Sequence, residues 1–164
     1  MIAPAIRTLF ILRHAKAETG EGLRDEERPL TARGRRAAER MGELMADRVP
    51  ERTLSSTSVR TRETVAGLKA GARHFGPVAF LPELYLASPS ACLKALAEHS
   101  GDATSVLLVG HNPGLEDLVS LLTGERVSLP TAALAECALE LEAWSDIAAN
   151  TRGELIGLSY PREQ

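Results

Sequence analysis

Apolar residues along the chain fall into two patterns, short unbroken runs and longer stretches with helical spacing. The runs Leu9-Phe10-Ile11-Leu12 and Val106-Leu107-Leu108-Val109 have no polar interruption, as expected of strands buried on both faces. Between them, Ala37, Ala38, Met41, Leu44 and Met45 recur at helical spacing, which predicts an amphipathic helix from Thr31 to about Asp47. Thr31 is its N-cap, and Val49-Pro50 ends it. Thr53-Leu54-Ser55 is a short strand. Ser58 or Thr57 caps a second helix, with Val59, Val65 and Leu68 on its apolar side and Gly71 as its stop. A brief strand over Val78 to Leu81 and a helix over Ser90 to Glu98 follow. After the second buried run, Asn112 caps a helix with Pro113 at its first position. Leu115, Leu118, Val119 and Leu122 form its buried stripe, and Gly124 ends it. Ala133 to Leu141 and Glu154 to Ser159 read as two late strands, antiparallel or at an edge.

Strands alternate with helices through most of the chain. That order predicts an α/β fold of three α/β/α layers around a mostly parallel central sheet. Repeats, low-complexity tracts and linkers are not seen, so residues 1–164 are expected to form a single domain.

Composition narrows the function classes. A formal net charge of -3 gives no global attraction to nucleic acid. No apolar stretch is long enough to span a membrane. The first apolar run is short, broken by Arg7 and followed by no cleavage site, so a cytoplasmic setting is expected. Cys92 and Cys137 match no metal or redox spacing and are expected in the core. Arginines far outnumber Lys16, Lys69 and Lys94, which suits phosphate contacts but also fits genome composition.

The candidate chemistry sits where the two buried runs end. Arg13-His14 closes the first, and Gly110-His111-Asn112-Pro113 closes the second. Open α/β sheets bind ligands just outside the carboxyl ends of their strands. Neutral imidazole is a competent nucleophile toward phosphorus, and a neighbouring arginine can hold phosphoryl oxygens. A histidine after a strand can equally be structural, and spacing alone leaves both readings open. A third segment, Ser55 to Thr64, runs from a strand end into a helix and offers Arg60 as a second clamp. In the same segment Arg62 and Glu63 read as a solvated face. Glu83 follows a strand end and is either structural or a general acid. His74 and His99 sit near helix ends, where histidine is favourable for structural reasons. No Walker loop or dinucleotide fingerprint occurs.

Taken together, these segments resemble the histidine phosphatase superfamily, the phosphoglycerate mutase-like fold. Leu12-Arg13-His14-Ala15 is similar to its Arg-His-Gly signature, with Ala15 in place of the common glycine. Arg28-Pro29-Leu30-Thr31 with Gly34, Ser55 through Thr64, and Gly110-His111-Asn112-Pro113 resemble its later motifs, in order along nearly the whole chain. Leu81-Pro82-Glu83-Leu84-Tyr85 and Leu129-Pro130-Thr131-Ala132-Ala133 look like the SixA-type phosphohistidine phosphatase branch. There is no room for the helical insertion that lids the site in many mutases.

The resemblance implies that His14 is a nucleophile forming a phosphohistidine intermediate. Arg13, Arg60 and a protonated His111 would surround the phosphoryl group, and Glu83 matches the usual proton donor. Neither metal nor cofactor would be needed. Partners would be a phosphorylated protein, such as a histidine phosphotransfer domain, or a small phosphoester, and not nucleic acid or a membrane. A protein phosphohistidine phosphatase, a small-molecule phosphomonoesterase and a non-catalytic phosphate- or partner-binding module are the three readings that follow.

Overall fold

A computed structural model describes residues 2–161. It contains six strands, β1 (Ile6–Arg13), β2 (Arg52–Ser55), β3 (Val78–Phe80), β4 (Ser105–Gly110), β5 (Leu134–Glu140) and β6 (Gly153–Ser159). The four helices are α1 (Ala32–Met45), α2 (Val59–Ala72), α3 (Pro89–His99) and α4 (Gly114–Thr123). The strands form one sheet in the order β3-β2-β4-β1-β5-β6. The first four in that order are parallel, β5 pairs antiparallel with β1, and β6 pairs antiparallel with β5. The three-layer fold read from the alternation of elements is therefore present, with the two late strands at one side.

Side chains alternate across a strand with a period of two, and β1 shows why the two buried runs lack polar residues. Leu9 and Ile11 face one layer with Val106, Leu108, Leu96, Leu118 and the fully buried Trp144. Phe10 and Leu12 face the other with Leu107, Val109, Ala38, Met41 and Leu68. Both faces of β1 and β4 are thus covered.

Two local expectations are corrected. Gly71 does not stop α2, which continues to Ala72 and ends at Arg73 with φ 66°. Gly71 instead lets α1 approach, because a Cβ there would lie 2.0 Å from the Glu39 carbonyl oxygen. Asn112 does not cap α4. Pro113 occupies the N-cap with no side-chain capping bond, and the Asn112 amide donates to the Leu129 carbonyl at 2.8 Å.

Candidate active site

Sheet register brings the two histidines together. β1 and β4 run parallel with Arg13 opposite Gly110, so His14 and His111 each stand one residue past the paired ends. The His14 amide donates to the Gly110 carbonyl at 3.1 Å. Their rings lie 5.4 Å apart, centroid to centroid. β2 pairs on the other side of β4, which sets Ser56 beside Val109 and within reach of His111.

Each ring's tautomer follows from its partners. His14 Nδ1 lies 2.8 Å from the Ala15 carbonyl oxygen. A carbonyl can only accept, so Nδ1 carries the proton and Nε2 keeps its lone pair. His111 Nδ1 lies 3.4 Å from Arg60 Nη2, and a guanidinium can only donate. His111 therefore accepts at Nδ1 and donates from Nε2 to Ser56 Oγ at 2.8 Å.

Arg60 is buried at the start of α2, the helix capped by Ser58 through the Thr61 amide. Thr64, one turn on, ties the helix to the first histidine segment. Its hydroxyl donates to the Arg60 carbonyl at 2.6 Å and accepts from the Ala15 amide at 3.0 Å. Arg13 donates from Nη1 to the Leu129 carbonyl at 3.2 Å. The Nε atoms of Arg13 and Arg60 are buried and have no hydrogen-bond partner in the protein.

Electrostatics set both histidines neutral. Burial pushes His14 down to about 4, and Arg60, Arg13 and Arg28 act in the same direction against the Ala15 bond. His111 is pushed down to about 3 by burial, then by His14 and Arg60. In low dielectric beside a buried guanidinium, the neutral ring is the stable form.

Glu83 is not brought to this cluster. It lies on a single 3-10 turn, Pro82–Leu84, half exposed, with His99 Nε2 3.7 Å from its carboxylate. The carboxylate that does reach the site is Asp25, from the 3-10 turn Asp25–Glu27 in the loop after His14. Asp25 Oδ2 accepts from Arg60 Nη2 at 2.9 Å, and the Asp25 carbonyl accepts from Arg60 Nη1 at 2.7 Å. Asp25 Oδ1 accepts from Arg28 Nε at 3.1 Å. The Tyr85 hydroxyl also donates to Asp25. These bonds, Tyr85 first and then Arg60, hold the Asp25 carboxyl down at about 2, so it stays ionised. Tyr85 meets the His111 ring edge-on at 5.3 Å between centroids.

Sequence reasoning missed Asp25, Tyr85 and Ser56, and it misread Glu63, whereas Arg62 is exposed as expected. The Arg62 guanidinium lies over the Phe80 ring at 4.3 Å. Glu63 accepts from the Leu30 amide at 2.7 Å and so anchors the end of the loop that carries Asp25.

A family model, the histidine phosphatase superfamily (branch 1), matches residues 9–85. Along its length the chain is 30% identical to an uncharacterized protein of Mycobacterium tuberculosis, over 92% of this chain and all of that one. The chain belongs to the histidine phosphatase superfamily. It is also 32% identical over 139 residues to an uncharacterized chloroplastic protein of Arabidopsis thaliana, of which it spans 63%. Among solved structures it is similar to a protein from Nakamurella multipartitia given the name phosphohistidine phosphatase SixA (TM-score 0.86, 29% identity, 97% of this chain and 99% of that one). It is likewise similar to the protein histidine phosphatase SixA complexed with tungstate (TM-score 0.75, 26% identity, 94% and 97%). The chain sets two histidines at the carboxyl ends of adjacent parallel strands.

Proposed function

We propose that this phosphatase removes the phosphoryl group from phosphohistidine on a protein, through a phosphohistidine intermediate at His14. The carrying observation is the His14 Nδ1 bond to the Ala15 carbonyl, which leaves the Nε2 lone pair directed away from the backbone. In the first step Nε2 attacks phosphorus and the substrate P–N bond breaks; the substrate ring, already protonated on its other nitrogen, takes the bonding pair and leaves as neutral imidazole. Water then attacks the same phosphorus. The P–N bond to His14 breaks, its Nε2 regains the lone pair, and the proton lost by water goes to inorganic phosphate.

Arg13 and Arg60 would hold the phosphoryl oxygens, with their unpaired Nε groups adding to a cationic floor. An arriving phosphoryl dianion reverses the local field at His111. Its Nδ1 then gains a proton and donates to a phosphoryl oxygen.

Leaving-group chemistry supports a phosphoramidate over an ester. An alkoxide needs a proton as it departs, whereas a phosphohistidine ring protonated on its far nitrogen leaves as neutral imidazole, whose conjugate acid has a pKa of about 6.5. Neither nearby carboxylate suits the donor role. Glu83 faces His99, and Asp25 is ionised and bonded to Arg60. Exposed leucines stand near Asp25 and Tyr85 in the chain, which suits a protein surface. Leu23 lies two residues from Asp25, and Leu86 follows Tyr85 with φ 50° and its side chain in solvent.

Phosphate release is to be measured with the wild type and His14→Ala, from a phosphohistidine-bearing protein and from a panel of phosphomonoesters. Preference for the phosphohistidine protein, with turnover lost in His14→Ala, is the expected result. Preference for an ester would move the reading to a small-molecule phosphomonoesterase. Turnover that survives in His14→Ala would remove His14 from the nucleophile role.

A further inference from the structure

A groove begins two residues beyond His14, outside the histidine cluster. It has a volume of about 380 Å³ and is lined by Lys16, Arg33, Arg40, Thr131, Tyr160 and a wall of prolines and Ala37. Its position follows from the fold. Lys16 lies between His14 and the start of α1, since the Thr31 amide donates to the Lys16 carbonyl at 2.9 Å. Arg33 and Arg40 stand two turns apart on α1, on the same side as Ala37. Thr131 precedes Ala132, whose amide lies 3.1 Å from the Arg13 carbonyl and 3.0 Å from that of His14. The groove and the catalytic segment therefore share a backbone.

Charge is what marks it. Lys16 and Arg40 line the groove, with no acidic side chain among the described lining residues. Lys16 and Arg40 have no carboxylate within ion-pair distance among the described residues, and Arg40 Nε is buried with no hydrogen-bond partner in the protein. Arg24, Arg28 and Arg48 show the contrast, each held by a carboxylate of this chain. A chain with net charge -3 repels an acidic partner at long range. A local cationic groove is what lets such a partner dock, and it also fixes the register of docking.

We infer that this groove seats a carboxylate-rich segment of the phosphorylated protein while its phosphohistidine enters the His14 site. The inference rests on the phosphohistidine reading above. The groove is larger than one phosphate group needs, and it has an aromatic and proline wall against which an extended peptide can lie. Lys16 and Arg40 supply the charge, and Lys16 lies two residues from His14.

The test uses two synthetic peptides that each carry one phosphohistidine, one flanked by glutamates and one by serines, together with free phosphohistidine. The enzymes are the wild type, Lys16→Gln and Lys16→Gln/Arg40→Gln, each checked for folding by thermal melting. The glutamate peptide is expected to have a KM lower by about tenfold than the serine peptide. That advantage is expected to shrink in Lys16→Gln, vanish in the double variant and fall with salt, while kcat and the turnover of free phosphohistidine stay unchanged. An equal KM for the two peptides, or an advantage that survives in the double variant, overturns the inference. If the wild type hydrolyses none of the three, the phosphohistidine reading fails. The groove is then judged by binding alone, with a fluorescent hexaglutamate peptide and inorganic pyrophosphate as probes. Peptide binding lost in the double variant upholds the acidic-segment site, whereas pyrophosphate binding without peptide binding overturns it.

Discussion

At the amino end of the parallel strands, the Arg7 guanidinium and the Trp144 indole are closed by the protein's own backbone, although Ser100 Oγ there is buried without a partner. Arg7 donates to the Ala103 carbonyl at 2.8 Å and to the Glu142 carbonyl at 2.5 Å, and Trp144 Nε1 donates to the same Ala103 oxygen at 2.6 Å. At the carboxyl end the pattern reverses. The Nε groups of Arg13 and Arg60 are buried without partners, and two neutral histidines sit among guanidinium groups. An unpaired buried donor costs about 1–3 kcal/mol. The carboxyl end therefore spends stability that the amino end supplies, and the two ends should respond differently to mutation.

The largest separation is expected from His14→Ala. Turnover should fall by roughly 10³-fold or more, because the covalent step loses its nucleophile. Stability should hold or rise, since a buried imidazole beside cations is removed. Phosphate release together with urea unfolding checks both halves. A loss of stability comparable to that of a core truncation would erase the contrast.

Trp144→Ala is the converse. Trp144 is fully buried in the layer under α3 and also closes the Ala103 carbonyl. Removing it should cost about 3–5 kcal/mol. The protein that remains folded should keep its KM, because the indole lies at the other end of the strands from His14. Urea midpoints give the first number and steady-state kinetics below the transition give the second.

Acidification should expose the carboxyl end next. In the unfolded chain each histidine takes up a proton near pH 6.5. In the folded chain His14 and His111 resist protonation until about 4 and about 3. Below pH 6.5 the unfolded state thus binds more protons, and stability falls as pH falls toward 4, by on the order of a few kcal/mol. The Asp25 carboxyl, held down at about 2, shifts in the same direction, but its contribution is lost only as pH falls through and below the ordinary carboxylate range. Denaturant unfolding between pH 7 and pH 4.5 should show the slope, and His14→Asn/His111→Asn should flatten it. The same values mean that kcat/KM should show no acid limb near pH 6.5 from His14 in the free enzyme.

Much of this contrast was legible in the sequence, because buried strands announce themselves by unbroken apolar runs. His14 and His111 were visible as the polar residues that end those runs, and Arg60 as a cation in the first turn of a capped helix. What stayed hidden depends on non-local pairing. Ser56 is one of four consecutive hydroxyl residues, Ser55 to Ser58, and only the pairing of β2 with β4 sets it against His111. Glu63 reads as solvated beside Arg62 until the loop delivers the Leu30 amide to it. Asp25 shares its loop with Glu18, Glu21, Glu26 and Glu27, and nothing local separates it from them. Glu83 shows the reverse failure, a motif position whose side chain is drawn to His99.

Asp25 also gives the smallest and sharpest test of the comparison. Its carboxylate and its carbonyl occupy both terminal nitrogens of Arg60, the guanidinium at the centre of the carboxyl end. An incoming oxyanion must take over part of that engagement. Asp25→Asn keeps the shape and the carbonyl bond but removes the charge, so inorganic phosphate or tungstate should bind more tightly, by roughly three- to tenfold. The stability lost with the pair should stay below about 1 kcal/mol, because the carboxylate is half exposed and screened. Calorimetric titration of both proteins with tungstate decides it. Tighter binding means that Asp25 competes with substrate for Arg60 and that the carboxyl end is held ready by an internal counter-ion. Weaker binding means that Asp25 instead holds Arg60 in position, so that this end too is closed by the protein's own groups.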